Sequence, residues 1–185
     1  MSPRLSGEAE DQAKSTDTLG LGLIAVLLMI YAALAVPLRS YGLPLIIMSV
    51  IPFGLVGAIL GHLILGNSVS VLSAIGMIGL TGIVVNDSLV MVDHISARIR
   101  AGGESWRSAV VEGGVRRFRP VVLTSVTTFM GLLPIQLEAS LQAQFVKPMA
   151  ISIGFGVLFA TFITLLLVPV LYFVGRDISS RLDAR

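Results

Sequence analysis

The chain has 185 residues, a formal net charge of +2, and 13% charged against 55% hydrophobic residues. Its mean hydropathy of +0.91 excludes an ordinary soluble domain, because there are too few charges to cover a water-facing surface. The small net charge gives no indication of nucleic-acid binding, and the lack of cysteine excludes disulfides and zinc–thiolate sites.

Five apolar runs follow one another along the chain, and each is long enough to cross a membrane. A hydrocarbon core about 30 Å thick needs about 20 helical residues. The predicted spans are 19–38, 43–65, 69–95, 120–137 and 148–174, and the polar stretch 105–117 predicts a short cytoplasmic surface helix. We therefore expect an all-α membrane protein with an N-terminal stub at 1–18, a transmembrane domain at 19–175 and a C-terminal tail at 176–185.

The basic residues predict the orientation, because cytoplasmic loops carry an excess of lysine and arginine. If the chain crosses the membrane five times, ten of its thirteen lysines and arginines lie on one side of the membrane: Arg39, Arg98, Arg100, Arg107, Arg116, Arg117, Arg119, Arg176, Arg181 and Arg185. The other three are Arg4, Lys14 and Lys147. We expect a cytoplasmic C-terminus and an N-terminus outside. An acidic outer N-terminus without a signal peptide indicates a fragment of a longer protein.

The second span carries signs of close helix packing. Gly54, Gly57 and Gly61 include a GxxxG pair, which lets a neighbouring backbone approach closely. Pro52 predicts a kink in the same span. His62 lies near the outer end, and we interpret it as an interfacial hydrogen-bonding residue rather than a proton carrier, since no acidic residue is near it in sequence.

The third span contains the most informative residue, Asp87. Between Arg39 and Asp93 the sequence has no lysine, arginine, glutamate or second aspartate. A carboxylate near the bilayer centre costs roughly 2.5–3.5 kcal/mol, so it is usually paired or in a wet cavity, and functional. Asp93 lies near the end of the span, where a solvated acid costs little.

The small and polar residues of the third span fall on one face. Gly79, Gly82, Asn86 and Asp93 share that face at about 100° per residue, and Asp87 lies on its flank. Small residues beside polar ones predict a face that is buried against other helices.

The fourth span offers hydroxyl groups on one face, because Thr124, Thr127 and Thr128 follow i, i+3 and i+4 spacing. Two interpretations remain open. The hydroxyls either hydrogen-bond to their own helix or provide partners for a buried carboxylate.

Several motifs in order resemble the C-terminal region of RND (resistance–nodulation–division) efflux permeases of the AcrB type. They are Val85–Asp93, Arg116–Ser125, Met130–Pro134, Pro44–Gly57 and Gln142–Pro148. The resemblance covers nearly the whole chain. It implies that the five spans are the last five of twelve, forming half of a permease membrane domain in the bacterial inner membrane, after a second large periplasmic segment.

The resemblance implies a proton antiporter that exports amphiphilic or toxic compounds. It also implies a trimer that works with a periplasmic adaptor and an outer-membrane channel. The proton relay would include Asp87, Thr124 and Arg117 here, with Asn86 standing where the family usually has a lysine. The partner carboxylates on the fourth span of such a permease would lie outside this chain.

Other classes of protein fit less well. An intramembrane aspartyl protease needs two opposed carboxylates, whereas Asp87 and Asp93 are about 240° apart on one helix. The sequence shows no serine–histidine arrangement, phosphate loop, metal-ligand cluster or cofactor site, so we do not expect an enzyme. The alternatives are a non-transporting membrane assembly or interaction protein, and a related lipid or protein translocation accessory.

Overall fold

The computed structural model describes residues 3–103 and 105–182, with side chains described for residues 20–22, 24–103 and 105–175. These residues form six helices and no strand: α1 (Pro3–Leu38), α2 (Gly42–Met48), α3 (Ile51–Leu65), α4 (Val71–Ala101), α5 (Trp106–Leu137) and α6 (Leu141–Leu182). The described part of the chain confirms the prediction of an all-α fold.

The second predicted span is divided into α2 and α3, which form one candidate span over Gly42–Leu65. Pro52 lies in the first turn of α3, where its missing N–H leaves no helical bond unmade. The interruption falls just before it, at Ser49 and Val50, and the Ser49 hydroxyl donates to the Ile46 carbonyl at 2.6 Å. The proline therefore acts as a helix start rather than as a kink inside one continuous helix.

The structure differs from the expectation of a separate surface helix at 105–117. α5 runs without a break from Trp106 to Leu137 and includes Pro120. Its 32 residues measure about 48 Å at 1.5 Å per residue, which exceeds a hydrocarbon core of about 30 Å. One helix thus contains both the polar stretch and the fourth span. The sequence placed a boundary at Pro120 because proline favours a first turn, but a helix can continue through a proline when neighbouring helices hold it.

The predicted stub and tail are also helical where they are described. α1 begins at Pro3, well before the apolar run that starts near Gly20, and α6 continues to Leu182. The membrane prediction otherwise agrees with the structure, in which five helices of the described residues are long and apolar enough to cross a membrane. Large apolar side chains such as Leu28, Leu63, Leu123 and Leu166 lie exposed on these helices, as lipid-facing residues do.

α6 is the central helix of the bundle and packs against α3, α4 and α5. Glycines permit the close approach of α3, since a Cβ on Gly61 would lie 2.5 Å from the ring of Phe155. α4 approaches in the same way, because a Cβ on Gly76 would lie 2.8 Å from the Met149 carbonyl oxygen. The GxxxG pair of the second span therefore faces α6, as the packing interpretation predicts.

Candidate functional site

Asp87 lies in the middle of α4 with its side chain half-buried. It makes no hydrogen bond or ion pair in the part of the chain that the structure describes. Its neighbour Ser88 is buried and donates to the Val84 carbonyl of its own helix at 2.9 Å, so it does not bond to the carboxylate. The acidic group is thus held at the edge of the bundle without a partner from these helices.

A stripe of exposed residues runs along α4 beside Asp87, and we call it the α4 stripe. It consists of Ile75, Gly79, Gly82, Asn86, Val90, Asp93, Ala97 and Arg100. A Cβ placed on Gly79 or Gly82 would meet no atom within 4 Å. The expectation that Gly79, Gly82, Asn86 and Asp93 form a buried face is therefore wrong for this chain, because α3, α5 and α6 pack on the other sides of α4.

The contact between Ile95 and Gly113 sets the register of the antiparallel helices α4 and α5. A Cβ on Gly113 would lie 2.7 Å from Ile95 Cγ1. Asp87 precedes Ile95 by eight residues, and Val121 follows Gly113 by eight residues. Equal rises along two helices place Asp87 level with Val121, about 12 Å from that contact.

The contacts that α6 makes with α4 and α5 give nearly the same depth for Asp87. α4 and α6 run parallel and are joined by the Ser96–Tyr172 hydrogen bond of 3.2 Å. α5 and α6 run antiparallel, and the buried hydroxyls of Ser125 and Thr161 meet between them. Counting along the helices from these two contacts places Asp87 level with position 123 of α5.

The depth of Asp87 therefore falls between Arg117 and Thr124, about four to six residues from Arg117 and about one to three from Thr124 along α5. Arg117 is half-buried, while Asn86 and Thr124 are exposed. The four predicted relay residues share one layer of the bundle, but no hydrogen bond or ion pair joins them within the described residues.

The threonines of the fourth span bond to their own helix. Thr124 Oγ1 donates to the Val121 carbonyl at 2.9 Å and to the Pro120 carbonyl at 3.2 Å. Thr127 and Thr128 likewise donate to carbonyls three or four residues earlier. Of the two interpretations left open by the sequence, the structure shows the first, intrahelical bonding.

The end of α4 and the beginning of α5 form an arginine-rich end of the bundle. Arg98 Nη2 lies 2.8 Å from Glu112 Oε2, and Arg116 approaches the same oxygen at 3.7 Å. Arg100 lies 3.9 Å from Asp93 between two well-exposed side chains. Of these contacts, the Arg98–Glu112 pair joins the last turns of α4 to the polar first half of α5, and the other two lie within one helix each.

His94 lies among these arginines, and the sequence did not single it out. Its Nε2 is buried and has no hydrogen-bond partner in the described part of the chain. Arg117, Arg98 and Arg116 are its electrostatic neighbours. The sequence contains one feature that could have pointed to His94, its spacing from Asp87. His94 follows Asp87 by seven residues, which places both on one flank of α4.

His62 is buried between α3 and α4, with 2% of its surface exposed. Its Nδ1 lies 2.9 Å from the Ala58 carbonyl, and its Nε2 lies 2.8 Å from Ser73 Oγ. Since a carbonyl only accepts, Nδ1 carries the proton and Nε2 accepts from the Ser73 hydroxyl. The residue is hydrogen-bonded, as predicted, but within the bundle rather than at an interface.

The described residues contain no group of three or more histidine, cysteine, aspartate or glutamate side chains that could hold a metal ion. The site is thus an unpaired carboxylate beside an open helix stripe, with basic residues towards one end of the bundle.

Comparison with known proteins identifies the family. The model of the AcrB/AcrD/AcrF family matches residues 1–176. The chain belongs to this family. The resemblance to RND permeases of the AcrB type that the sequence motifs indicated is thereby confirmed.

Individual known proteins are similar to this chain in sequence or in structure. The swarming motility protein SwrC of Bacillus subtilis (strain 168) is 32% identical over 167 residues, which is 90% of this chain and 16% of SwrC. Two crystal forms of a heavy metal efflux pump match with TM-scores of 0.81 and 0.78 at 27% and 28% identity. They cover 91% and 92% of this chain, but only 17% and 16% of the pump. The chain thus spans about a sixth of the length of these relatives.

Proposed function

We propose that this chain is the C-terminal membrane part of a proton-driven RND efflux transporter, with Asp87 in its proton relay. Membership of the AcrB/AcrD/AcrF family supports the transporter class. The finer assignment rests on one observation: the half-buried Asp87 is unpaired and lies in the same layer as Arg117 and Thr124, beside the uncovered α4 stripe.

The open surface of the α4 stripe leaves room for another helix, and we place there a helix of the same permease. Glycines at two of its positions leave room for a helix backbone to come close to Asn86 and to the flank of Asp87. In the proposal, this helix comes from the N-terminal half of the permease and carries the carboxylates that share protons with Asp87. Asn86 replaces the cation expected at its position and can donate a hydrogen bond to those carboxylates.

The mechanism follows from the two environments that such a carboxyl group experiences. Desolvation favours the neutral acid, whereas a nearby cation such as Arg117 favours the carboxylate. A conformational change that alternates these environments loads a proton from one side and releases it to the other. Each proton moving down the membrane potential supplies about 2.3 kcal/mol per 100 mV, which can bias helix positions and remote substrate sites.

The remaining parts of the proposal concern placement and partners. The arginine-rich end faces the cytoplasm, the first helix begins in the periplasm, and the membrane is the bacterial inner membrane. The complete transporter is a trimer that passes amphiphilic or toxic compounds to a periplasmic adaptor and an outer-membrane channel. Its substrate is determined by periplasmic domains outside the chain.

The test replaces Asp87 in the full-length permease. Asp87→Asn keeps the shape and polarity of the side chain but removes its exchangeable carboxyl proton. We expect it to abolish energised efflux while expression and assembly stay normal. The matched control is Asp93→Asn, because Asp93 lies on the same helix with a well-exposed carboxylate. Efflux by Asp87→Asn at the rate of the native protein would contradict the proposed function.

A further inference from the structure

His94 is half-buried at the arginine-rich end of the bundle, and its Nε2 has an unmet hydrogen-bonding requirement among the described residues. Its Nε2 is enclosed and finds no partner in the described part of the chain. Either tautomer leaves that nitrogen unsatisfied, as a donor without an acceptor or as an acceptor without a donor. An unmade hydrogen bond at a buried group costs about 1–3 kcal/mol, so another state that supplies a partner would be favoured at this residue.

The charged groups around His94 come from both helices packed at this end. Arg117 and Arg116 belong to α5, while Arg98 and Asp93 belong to α4 itself. Three arginines face two carboxylates: Asp93, with 64% of its side chain exposed, and Glu112, which pairs with Arg98 and is approached by Arg116. The imidazole of His94 thus lies in a cluster of arginines at this end of α4.

His94 is also placed correctly along the axis of the bundle. It lies two turns, about 10.5 Å, from Asp87 on the same flank of α4 and towards the arginine-rich end. That gap is too long for a direct hydrogen bond, so a proton can pass between the two side chains only through bridging waters. Arg117 is an electrostatic neighbour of His94 and lies about four to six residues along α5 from the depth of Asp87.

We propose that His94 receives the proton released by Asp87 and passes it to water at the arginine-rich end. This inference rests on the proposed function and extends it by a second proton-carrying residue. The O–H bond of the Asp87 carboxyl breaks, a proton moves along the waters, and an N–H bond forms at Nε2 of the neutral imidazole. The imidazolium then loses one proton to water, which restores the neutral ring while Asp87 remains a carboxylate.

The experiment uses the full-length permease in proteoliposomes with a pH-sensitive dye on the side of the arginine-rich end. Proton release during substrate transport is followed while the pH on that side is varied between about 5 and 8, the range in which imidazole titrates. Three proteins are compared: the native permease, His94→Gln and His62→Gln. The last is the matched control, because His62 is the other histidine of the chain and has both ring nitrogens bonded.

We expect His94→Gln to slow proton release roughly 10²-fold, the low end for a positioned acid–base group, and to lose the inflection with pH. Imidazole added on the same side should restore part of the rate. His62→Gln should keep the shape of the native pH profile, even where its absolute rate is lower. Binding of substrate should be unchanged in His94→Gln.

Two results would overturn the role of His94 while leaving Asp87 in place. One is a native rate and pH profile in His94→Gln. The other is a slower rate with the native pH profile and no response to imidazole, which describes a residue that only supports the structure. A native permease that transports substrate without any proton release would instead refute the proposed function, and with it this inference.

Discussion

Gly113 of α5 lies directly against Ile95 of α4, so that a Cβ on the glycine would be 2.7 Å from Ile95 Cγ1. No real Cβ contact is this short, and the two helices approach at this point because α5 has no side chain there. The contact fixes how far α5 is shifted along α4. The depth of Arg117 and Thr124 relative to Asp87 follows from that shift.

We therefore expect Gly113→Ala to destabilise the bundle by about 1–3 kcal/mol, since overpacking forces side chains or backbone to move. The control is Gly131→Ala in the same helix, where a Cβ would meet nothing within 4 Å. The measurement is thermal unfolding of the purified chain in detergent. Equal unfolding temperatures for the two variants would show that the helices are not this close.

A second prediction concerns Ser73, which joins three elements. It accepts from the Ser70 N–H at 3.0 Å, lies 2.8 Å from His62 Nε2, and its carbonyl accepts from the Ser152 hydroxyl at 3.1 Å. Ser73→Ala removes the hydroxyl, so His62 Nε2 becomes a buried acceptor without a donor. We expect a loss of about 1–3 kcal/mol of stability.

The control for Ser73 is Ser68→Ala, because Ser68 is exposed in the connection between α3 and α4. It should change the stability by less than about 0.5 kcal/mol, as surface substitutions usually do. Denaturation of both variants in the same detergent provides the comparison. If Ser73→Ala were as stable as Ser68→Ala, His62 would have to find its donor elsewhere.

The third prediction tests whether the α4 stripe is a contact surface in the complete permease. The sequence contains no cysteine, so single cysteines can be introduced without a background. We expect Gly79→Cys and Gly82→Cys to react with a small membrane-permeant thiol reagent in this chain and to be protected in the full-length permease. Ala58→Cys, which replaces a fully buried side chain, should be protected in both. Rapid labelling of Gly79→Cys and Gly82→Cys in the full-length permease would contradict the proposal that another helix covers the α4 stripe.

The sequence was sufficient to predict the five spans, because the length and hydropathy of a membrane helix are local properties. It also placed Pro52 at a disturbance of the second span. It failed at Pro120, since the sequence does not show whether neighbouring helices support a proline within a helix. The sequence predicted a kink at Pro52, which instead begins α3, and a helix start at Pro120, which instead lies inside α5.

The site shows the same division between local pattern and packing. The sequence identified Asp87 from its charge and Asn86 from its position, but it predicted a covered face where this chain leaves the α4 stripe open. Whether a face is covered depends on partners outside the helix. His94 was missed because its arginine neighbours on α5 become apparent only once the register of α4 and α5 is known.

The central claim is that the carboxyl group of Asp87 gains and loses a proton inside the bundle, and infrared difference spectroscopy measures this most directly. The full-length permease in lipid is compared at two pH values, and the C=O stretching band of a protonated carboxyl group is followed. We predict a band that appears as the pH falls and is missing from Asp87→Asn, while Asp93→Asn retains it. Identical difference spectra for the native protein and Asp87→Asn would contradict the account.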